Sequence, residues 1–215
     1  MRAAMSEVAA EKKSLRNLVK QNLKCVPADD VLERSSKIVE RLGDLRAWKS
    51  AKAVSCFISM PSGEVQTAGV LELVKTDGKK LFVPKVLGAK SADMVMLAVE
   101  SPAEIDQYPK SKWGIPESPE DGPDATYDGT IDLVVVPGVV FDVSCHRIGH
   151  GKGYYDCFLS RINEYNAKSN LPRPVTIGLC LDEQLHAEAV PTEAHDVPLD
   201  YLVTPTTTYS ALPLS

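Results

Sequence analysis

Five short runs of apolar residues, separated or preceded by helix-like segments, most constrain how this sequence can fold. The runs are not strictly alternating, which is typical of strands buried on both faces. They are KAVSCFIS (52–59), KLFVPK (80–85), IDLVVVPG (131–138), PVTIGLC (174–180) and DYLVT (200–204). Apolar residues recur at helical spacing in residues 11–26, 27–45, 65–80 and 154–165. This order predicts an α/β protein with a mainly parallel sheet that helices cover on both faces.

Two segments differ from this pattern. ADMVMLAV (92–99) alternates, with Met94, Met96 and Ala98 on one side, which predicts a strand with that face buried. Residues 101–130 are interrupted by five prolines and three glycines. They predict a long surface loop, and long loops in compact domains are often functional.

Composition limits the classes of partner that the protein is expected to bind and the cellular location expected for it. A net charge of −5 opposes nucleic acid or an anionic membrane as a partner, since both need a basic surface. The first residues lack the apolar core of a secretory signal, and no apolar run approaches the roughly 20 residues of a membrane span. Five cysteines without a C-x-x-C pair, with Cys56 and Cys180 in apolar runs, indicate reduced thiols. We therefore expect a cytoplasmic protein.

The stretch RIGHGKGYYD (147–156) places three glycines and a lysine directly before a predicted helix. Glycines let a ligand approach the backbone with no Cβ in the way. A helix N-terminus presents unpaired N–H groups and partial positive charge, so an anion fits there, and Lys152 adds a full charge. Asp156, in the first helical turn, is placed to hold Mg²⁺ against phosphate oxygens. We therefore expect a nucleotide phosphate at this loop.

Other interpretations of the stretch stay open. It satisfies neither the Walker A pattern nor the G-x-G-x-x-G dinucleotide pattern, and a flexible loop with a helix cap also accounts for it. His146 and His150, with Cys145 and Cys157 nearby, raise the idea of a zinc site, although their spacing matches no zinc pattern. Cys145 beside a histidine is a weak candidate nucleophile, because no third orienting group is evident.

Together with other segments, this stretch resembles the 5-formyltetrahydrofolate cyclo-ligases, also called methenyltetrahydrofolate synthetases. The similar segments follow the family's order across nearly the whole chain, which is more specific than any one of them. They are KKSLR (12–16), FISMPSGEVQT (57–67), KWGIPE (112–117), VVVPGVVFD (134–142), RIGHGKGYYDCFLSR (147–161) and VPTEAHDVPLDYLVT (190–204). The resemblance implies a single three-layer α/β/α domain over residues 1–215.

The resemblance also implies a reaction. An ATP- and Mg²⁺-dependent enzyme would convert 5-formyltetrahydrofolate to 5,10-methenyltetrahydrofolate and release ADP and phosphate. In the family's mechanism the formyl oxygen takes the γ-phosphoryl group, the folate N10 attacks the activated carbon, and phosphate leaves. The expected partners are the folate and ATP, with no nucleic acid and no membrane, and we expect a monomer.

Residues are implied by position in the family's motifs. ATP would contact two groups: Lys12, Lys13, Ser14, Leu15 and Arg16, and then Arg147, Ile148, Gly149, His150, Gly151, Lys152, Gly153, Tyr154 and Tyr155. The folate would contact Arg16, Ile58, Glu64, His150, Gly151, Lys152, Gly153 and Tyr154. Glu64 would bind the N–H donors of the pterin. Asp156 and Asp196 would hold Mg²⁺. The residues implied for catalysis are Lys152, Arg147 and Tyr154.

For several of these residues a structural role is an equally simple interpretation. Ile58 is of a type found mostly in cores, Glu64 is most often a surface residue of a loop, and Asp196 suits a turn. The two tyrosines suit packing under the sheet. The basic stripe of the first helix is most often a solvated face, and it consists of Lys12, Arg16 and Lys20.

Two other functions stay open. A sugar-phosphate isomerase or an acyl-CoA transferase would use a related fold, and fold alone does not decide function. The second alternative is a binding module that keeps the nucleotide site but has no turnover. It is supported by His150, where the family often has arginine, and by Ser118, where many members have proline.

Overall fold

The computed structural model describes residues 2–119 and 122–212, with side chains from residue 7 onward. Residues 120 and 121 of the predicted loop, and the ends of the predicted domain 1–215, lie outside the described residues. The helices of the described chain are α1 (Arg2–Leu23), α2 (Ala28–Asp44), α3 (Arg46–Ser50), α4 (Ala68–Thr76), α5 (Pro102–Ile105) and α6 (Tyr154–Lys168). None of these helices is both long and apolar enough to cross a membrane.

The strands form two sheets. In chain order they are β1 (Ala53–Cys56), β2 (Lys80–Val86), β3 (Met94–Val99), β4 (Leu133–Val136), β5 (Val140–Asp142), β6 (Arg147–Ile148), β7 (Val175–Leu179), β8 (Leu185–His186), β9 (Tyr201–Val203) and β10 (Thr208–Ser210). The main sheet has the order β10-β9-β7-β4-β1-β2-β3. Its five inner strands are parallel and its two edge strands antiparallel. The prediction of a mainly parallel sheet is confirmed.

Helices cover both faces of the main sheet, because successive strand residues point to opposite sides. Val135 of β4 belongs to one apolar core with Ile38 of α2 and Val70 of α4. Its neighbour Val134 belongs to a second core with Phe158 of α6. The two cores on opposite faces make the three-layer α/β/α arrangement that the resemblance implied.

The second sheet was not predicted. It has the order β6-β5-β8 and lies between β4 and α6 in the chain, with β8 added from the segment after β7. Phe141 of β5 is fully buried, and its ring packs where two glycines leave room. A Cβ on Gly178 of β7 would lie 2.9 Å from Phe141 Cε1, and Gly138 is approached by the same ring. These contacts seat the small sheet on the main one and so position β6, which leads into the glycine-rich stretch.

Two sequence-based expectations need correction. In β3, Met94 and Met96 are buried, but Ala98 is exposed. Leu97 and Val99, on the opposite side of β3, are buried instead, so the covered side changes along this edge strand. Residues 101–130 are also more ordered than a surface loop, since their described part holds α5, a 3₁₀ turn at Ala125–Tyr127 and a bridge between Lys110 and Pro116.

Replacing Gly178 by alanine should lower the free energy of unfolding by about 1–3 kcal/mol, as expected of overpacking. The added Cβ would lie 2.8 Å from Leu199 Cδ1 and 2.9 Å from Phe141 Cε1. Urea unfolding followed by circular dichroism measures the change. Gly122→Ala is the matched control, because its Cβ would meet only Leu97 Cδ2, at 3.6 Å. Equal unfolding midpoints for the two variants would contradict the packing of Phe141 described above.

Candidate active site

A glycine loop, residues 149–153, joins strand β6 to helix α6. Gly153 precedes the helix with a φ of 70°, a left-handed conformation that favours glycine. The first hydrogen bond of the helix runs from Cys157 N to Gly153 O, at 3.0 Å. The amides before Cys157 are those that a helix leaves without an acceptor of its own. The loop therefore presents backbone donors at the positive end of the α6 dipole, as the sequence predicted.

Arg147 lies just before this loop and is paired with Asp156 in the first turn of α6. Its Nη2 is 2.8 Å from Asp156 Oδ1, and the arginine side chain is only 3% exposed. The same carboxylate oxygen accepts a hydrogen bond from Val197 N at 3.2 Å. Among the described residues, Arg147 Nε has no hydrogen-bond partner. A buried donor without a partner is costly, so this nitrogen is a candidate contact for an anion bound at the loop.

Helix α1 directs two basic side chains at the same region. Lys12 and Arg16 are one turn apart and share a helix face. Arg16 Nε donates to Gly149 O at 2.6 Å, and its guanidinium lies beside Gly151. Lys12 Nζ contacts two acidic side chains and is buried. The interpretation of this face as a solvated stripe therefore fails for Lys12, although Lys20 is exposed.

The other residues implied for ATP in α1 have different surroundings. Lys13 and Ser14 are exposed to solvent. Leu15 is half-buried and packs against the core that contains α2 and α4. A contact between these three residues and ATP stays a prediction.

The two acidic residues implied for Mg²⁺ come from segments that meet at the start of α6. Val197, which follows Asp196, donates its amide to Asp156. Asp196 Oδ2 accepts hydrogen bonds from Lys12 Nζ at 2.5 Å and from Glu193 N at 2.7 Å. In the described part of the chain, no three side chains of metal-binding type converge on one point. Mg²⁺ usually takes one or two carboxylates together with phosphate oxygens and water, so this pair fits Mg²⁺ that arrives with a nucleotide.

Glu193 was not predicted from the sequence. Its Oε2 is 2.8 Å from Lys12 Nζ, which places it in the same cluster as Asp196. The signal that would have pointed to it is the spacing in TEAHD (192–196), where two acidic residues stand three apart. The turn interpretation of Asp196 is also correct in part, since its carboxylate binds the Glu193 amide.

The tip of the glycine loop is open to solvent. Lys152 is exposed and makes no hydrogen bond or ion pair within the described chain. Loss of hydration, followed by the nearby cations Lys20 and Arg16, lowers the pKa of His150. This imidazole is therefore mainly neutral at pH 7, whereas a phosphate anion bound beside it would favour its protonated form.

The two tyrosines after the loop differ in environment. Tyr154 donates its hydroxyl hydrogen bond to Gly88 O, at 2.8 Å, in the turn that joins β2 to β3. Tyr155 packs edge-on against Phe158, and its hydroxyl is buried without a partner in the described residues. Burial raises the pKa of Tyr155 well above its ordinary value, so its hydroxyl stays protonated. The packing role proposed for a tyrosine thus applies to Tyr155.

The segment after β1 contains the other residues implied for the folate. Ile58 is half-buried at the edge of the core. Glu64 is buried rather than a surface residue, and its Oε1 accepts a hydrogen bond from Met60 N at 2.6 Å. Burial raises the pKa of Glu64 to about 7. Gln66, which the sequence did not single out, donates to Met60 O and Glu64 O and so holds the segment in shape.

The cysteine hypotheses gain no support from the geometry. Cys145 is fully buried, and burial raises the pKa of its thiol to about 11, so it is a protonated and inaccessible group at neutral pH. Cys56 and Cys180 lie in the core, as predicted.

Known proteins resemble this chain over nearly its whole length. The sequence profile of the 5-formyltetrahydrofolate cyclo-ligase family matches residues 8–205. A probable 5-formyltetrahydrofolate cyclo-ligase of Schizosaccharomyces pombe is 32% identical over 202 residues, which cover 92% of this chain and 97% of that protein. The mouse 5-formyltetrahydrofolate cyclo-ligase is 31% identical over 196 residues, covering 90% and 93%. The structure of Aquifex aeolicus 5,10-methenyltetrahydrofolate synthetase matches with a TM-score of 0.74 and 27% identity, covering 95% and 94%. The chain therefore belongs to the 5-formyltetrahydrofolate cyclo-ligase family of enzymes.

Proposed function

We propose that this protein converts 5-formyltetrahydrofolate to 5,10-methenyltetrahydrofolate at the expense of ATP, with Mg²⁺, and releases ADP and phosphate. Family membership supports the folate conversion. The use of ATP is supported by one observation above all, the convergence of donors on the glycine loop. Arg147 has a buried Nε without a partner, Arg16 is bound to the loop backbone, and Lys152 is exposed at its tip. Phosphoryl transfer needs this kind of positioning and charge neutralisation.

The nucleotide phosphates would bind along the glycine loop. The amides at the start of α6 would donate to their oxygens, and Lys152 and Arg147 would neutralise their charge. Asp156 and Asp196 would hold Mg²⁺ on the same phosphates. Bound there, the metal ion would draw charge from the β- and γ-phosphoryl oxygens.

The folate chemistry requires activation, because a formyl oxygen is a poor leaving group. The formyl oxygen would attack the γ-phosphorus while the bond to the ADP oxygen breaks, which leaves a phosphorylated oxygen on the formyl carbon. N10 would then attack that carbon, the carbon–oxygen bond would break, and phosphate would depart as N10 loses its proton. Lys152 and Arg147 would hold the transferred group, and Tyr154 would border the folate.

Glu64 would orient the folate. A carboxyl group can accept hydrogen bonds from the N–H edge of a pterin, and Met60 and Gln66 keep the segment around this one in place. Contacts of Ile58 and His150 with the folate, a cytoplasmic location and a monomeric state stay predictions.

The purified protein should produce methenyltetrahydrofolate, seen as near-ultraviolet absorbance, when it is given 5-formyltetrahydrofolate, ATP and Mg²⁺. Omission of ATP should abolish the signal, which separates this activity from that of an isomerase. Isothermal titration calorimetry with MgATP, combined with this product assay, separates an enzyme, which binds and turns over, from a binding module, which only binds. Folded protein that binds MgATP but forms no product would contradict the proposed catalysis and favour the binding module.

Lys152→Ala should reduce kcat by about 10²–10³, the usual cost of removing one preorganised charge-stabilising group. Because Lys152 is exposed and unpaired within the described chain, the melting temperature of the variant should equal that of the unsubstituted protein. Lys168→Ala, at the far end of α6, removes the same charge and serves as the control. Asp156→Asn is a less specific test, since Asp156 also pairs with buried Arg147. Equal kcat values for the two lysine variants would refute the role of Lys152.

Glu64→Gln should stabilise the protein at alkaline pH. A carboxyl group whose pKa rises to about 7 on folding contributes stability that is present at low pH and lost as pH rises through about 7. Glutamine keeps the oxygen acceptor without the charge. The free energy of unfolding of the variant, relative to that of the unsubstituted protein, should therefore rise by on the order of 2–3 kcal/mol when the pH is raised from 5 to 8. Urea unfolding at the two pH values measures this. Glu72→Gln, at an exposed glutamate of α4, should show no such gain. If the stability difference between Glu64→Gln and the unsubstituted protein were the same at both pH values, Glu64 could not be a buried, proton-binding carboxyl group.

A further inference from the structure

Lys12 occupies an uncommon position for a lysine, because its ammonium group is buried between two acidic side chains from the far end of the chain. Its Nζ is 2.8 Å from Glu193 Oε2 and 2.5 Å from Asp196 Oδ2. The Lys12 side chain is 7% exposed. Lysine is almost never buried unless it is paired, so these two contacts account for its burial.

The contacts compete with other roles expected of the same groups. The family resemblance implies that Lys12 contacts nucleotide phosphates, and the proposed function has Asp196 hold Mg²⁺. An ammonium group and a divalent cation on one carboxylate oxygen would repel each other strongly at a separation of a few ångströms. Asp196 Oδ2 can therefore hold Lys12 or the metal ion, but not both, and a metal ion on Oδ1 of the same carboxylate would still be repelled by an ammonium group this close.

We propose that Lys12 is an exchangeable counter-ion of the metal site. Its ammonium group holds the place beside Asp196 until nucleotide phosphates draw it away, and Mg²⁺ then takes over the carboxylate. This inference rests on the proposed function, since it assumes that a nucleotide and Mg²⁺ bind here. Its consequence is that free Mg²⁺ binds weakly by itself, and that metal and nucleotide enter together.

Glu193 is a positioning residue in this exchange. Its carboxylate gives the ammonium group of Lys12 a second negative partner, and its amide donates to Asp196 Oδ2. The two carboxylates are therefore fixed relative to each other by a backbone contact that does not depend on the lysine. Glu193 sets how firmly Lys12 is held, and so how much of the binding energy of the phosphates is used to release it.

The first test measures metal binding without any nucleotide. Mn²⁺, as a paramagnetic substitute for Mg²⁺, is titrated into the full-length protein at one fixed pH and followed by electron paramagnetic resonance. The pH is fixed because His195 Nε2 also lies 3.9 Å from Glu193 Oε2 and 3.8 Å from Asp196 Oδ1. Lys12→Met should bind Mn²⁺ at least about tenfold more tightly than the unsubstituted protein, because the competing charge is gone. Adding Asp196→Asn to Lys12→Met should abolish the gain.

Lys20→Met is the matched control for this test. It removes the same charge from an exposed position about two turns further along α1, so its Mn²⁺ affinity should equal that of the unsubstituted protein. The proposal is overturned if Lys12→Met gains no affinity for Mn²⁺, or if Lys20→Met gains as much. In the latter case the effect would come from net charge rather than from the site.

The second test keeps Lys12 in place, in case Lys12→Met does not fold once two partly buried carboxylates lose their partner. Glu193→Gln leaves the lysine with one charged partner, so metal-free ATP, titrated in the presence of a chelator, should bind several-fold more tightly. Glu188→Gln, an exposed glutamate in the same segment, controls for the loss of one negative charge. Equal ATP affinities for the two variants would overturn the positioning role of Glu193. Absence of ATP binding by the unsubstituted protein would instead refute the proposed function, and the Mn²⁺ test would still decide the exchange.

Discussion

The buried ion pair between Arg147 and Asp156 is the contact on which the arrangement of the site depends. A buried guanidinium group without a carboxylate would be strongly destabilising, so its partner must be held at a fixed place. Asp156 is held there by the first turn of α6 and by the amide of Val197. The pair thereby fixes both ends of the segment that contains the glycine loop, while His150, Gly151 and Lys152 between them stay exposed to solvent.

Segments from the first and the last parts of the described chain lie beside this ion pair. The long helix α1 supplies Lys12 and Arg16, and the segment before β9 supplies Glu193 and Asp196. Lys12 and Asp196 are 184 residues apart, so their contact depends on the complete fold. A site built in this way is assembled only when both terminal segments have docked on the sheet.

Much of the fold could be predicted from the sequence, because buried parallel strands are apolar throughout and the apolar residues of helices recur every three or four positions. The small sheet could not, since β6 and β8 have two residues each, too few for any pattern. The glycine loop, Asp156 and Arg16 were singled out from the sequence, because local chemistry or family motifs point to them, and their roles stay predictions. Glu193 and the burial of Glu64 were missed, since a carboxylate in a loop looks the same in a sequence whether it faces water or a lysine.

The hydrogen bond between Tyr154 and Gly88 has a consequence for how the loop moves. It links the first residue of α6 to the turn between β2 and β3, at the edge of the main sheet. One such bond contributes only about 0.5–1.5 kcal/mol, and loops rearrange within nanoseconds to microseconds. The contact can therefore break and re-form on that timescale, and if the proposed function holds, a bicyclic pterin ring could enter beside the tyrosine without a larger rearrangement of the sheet.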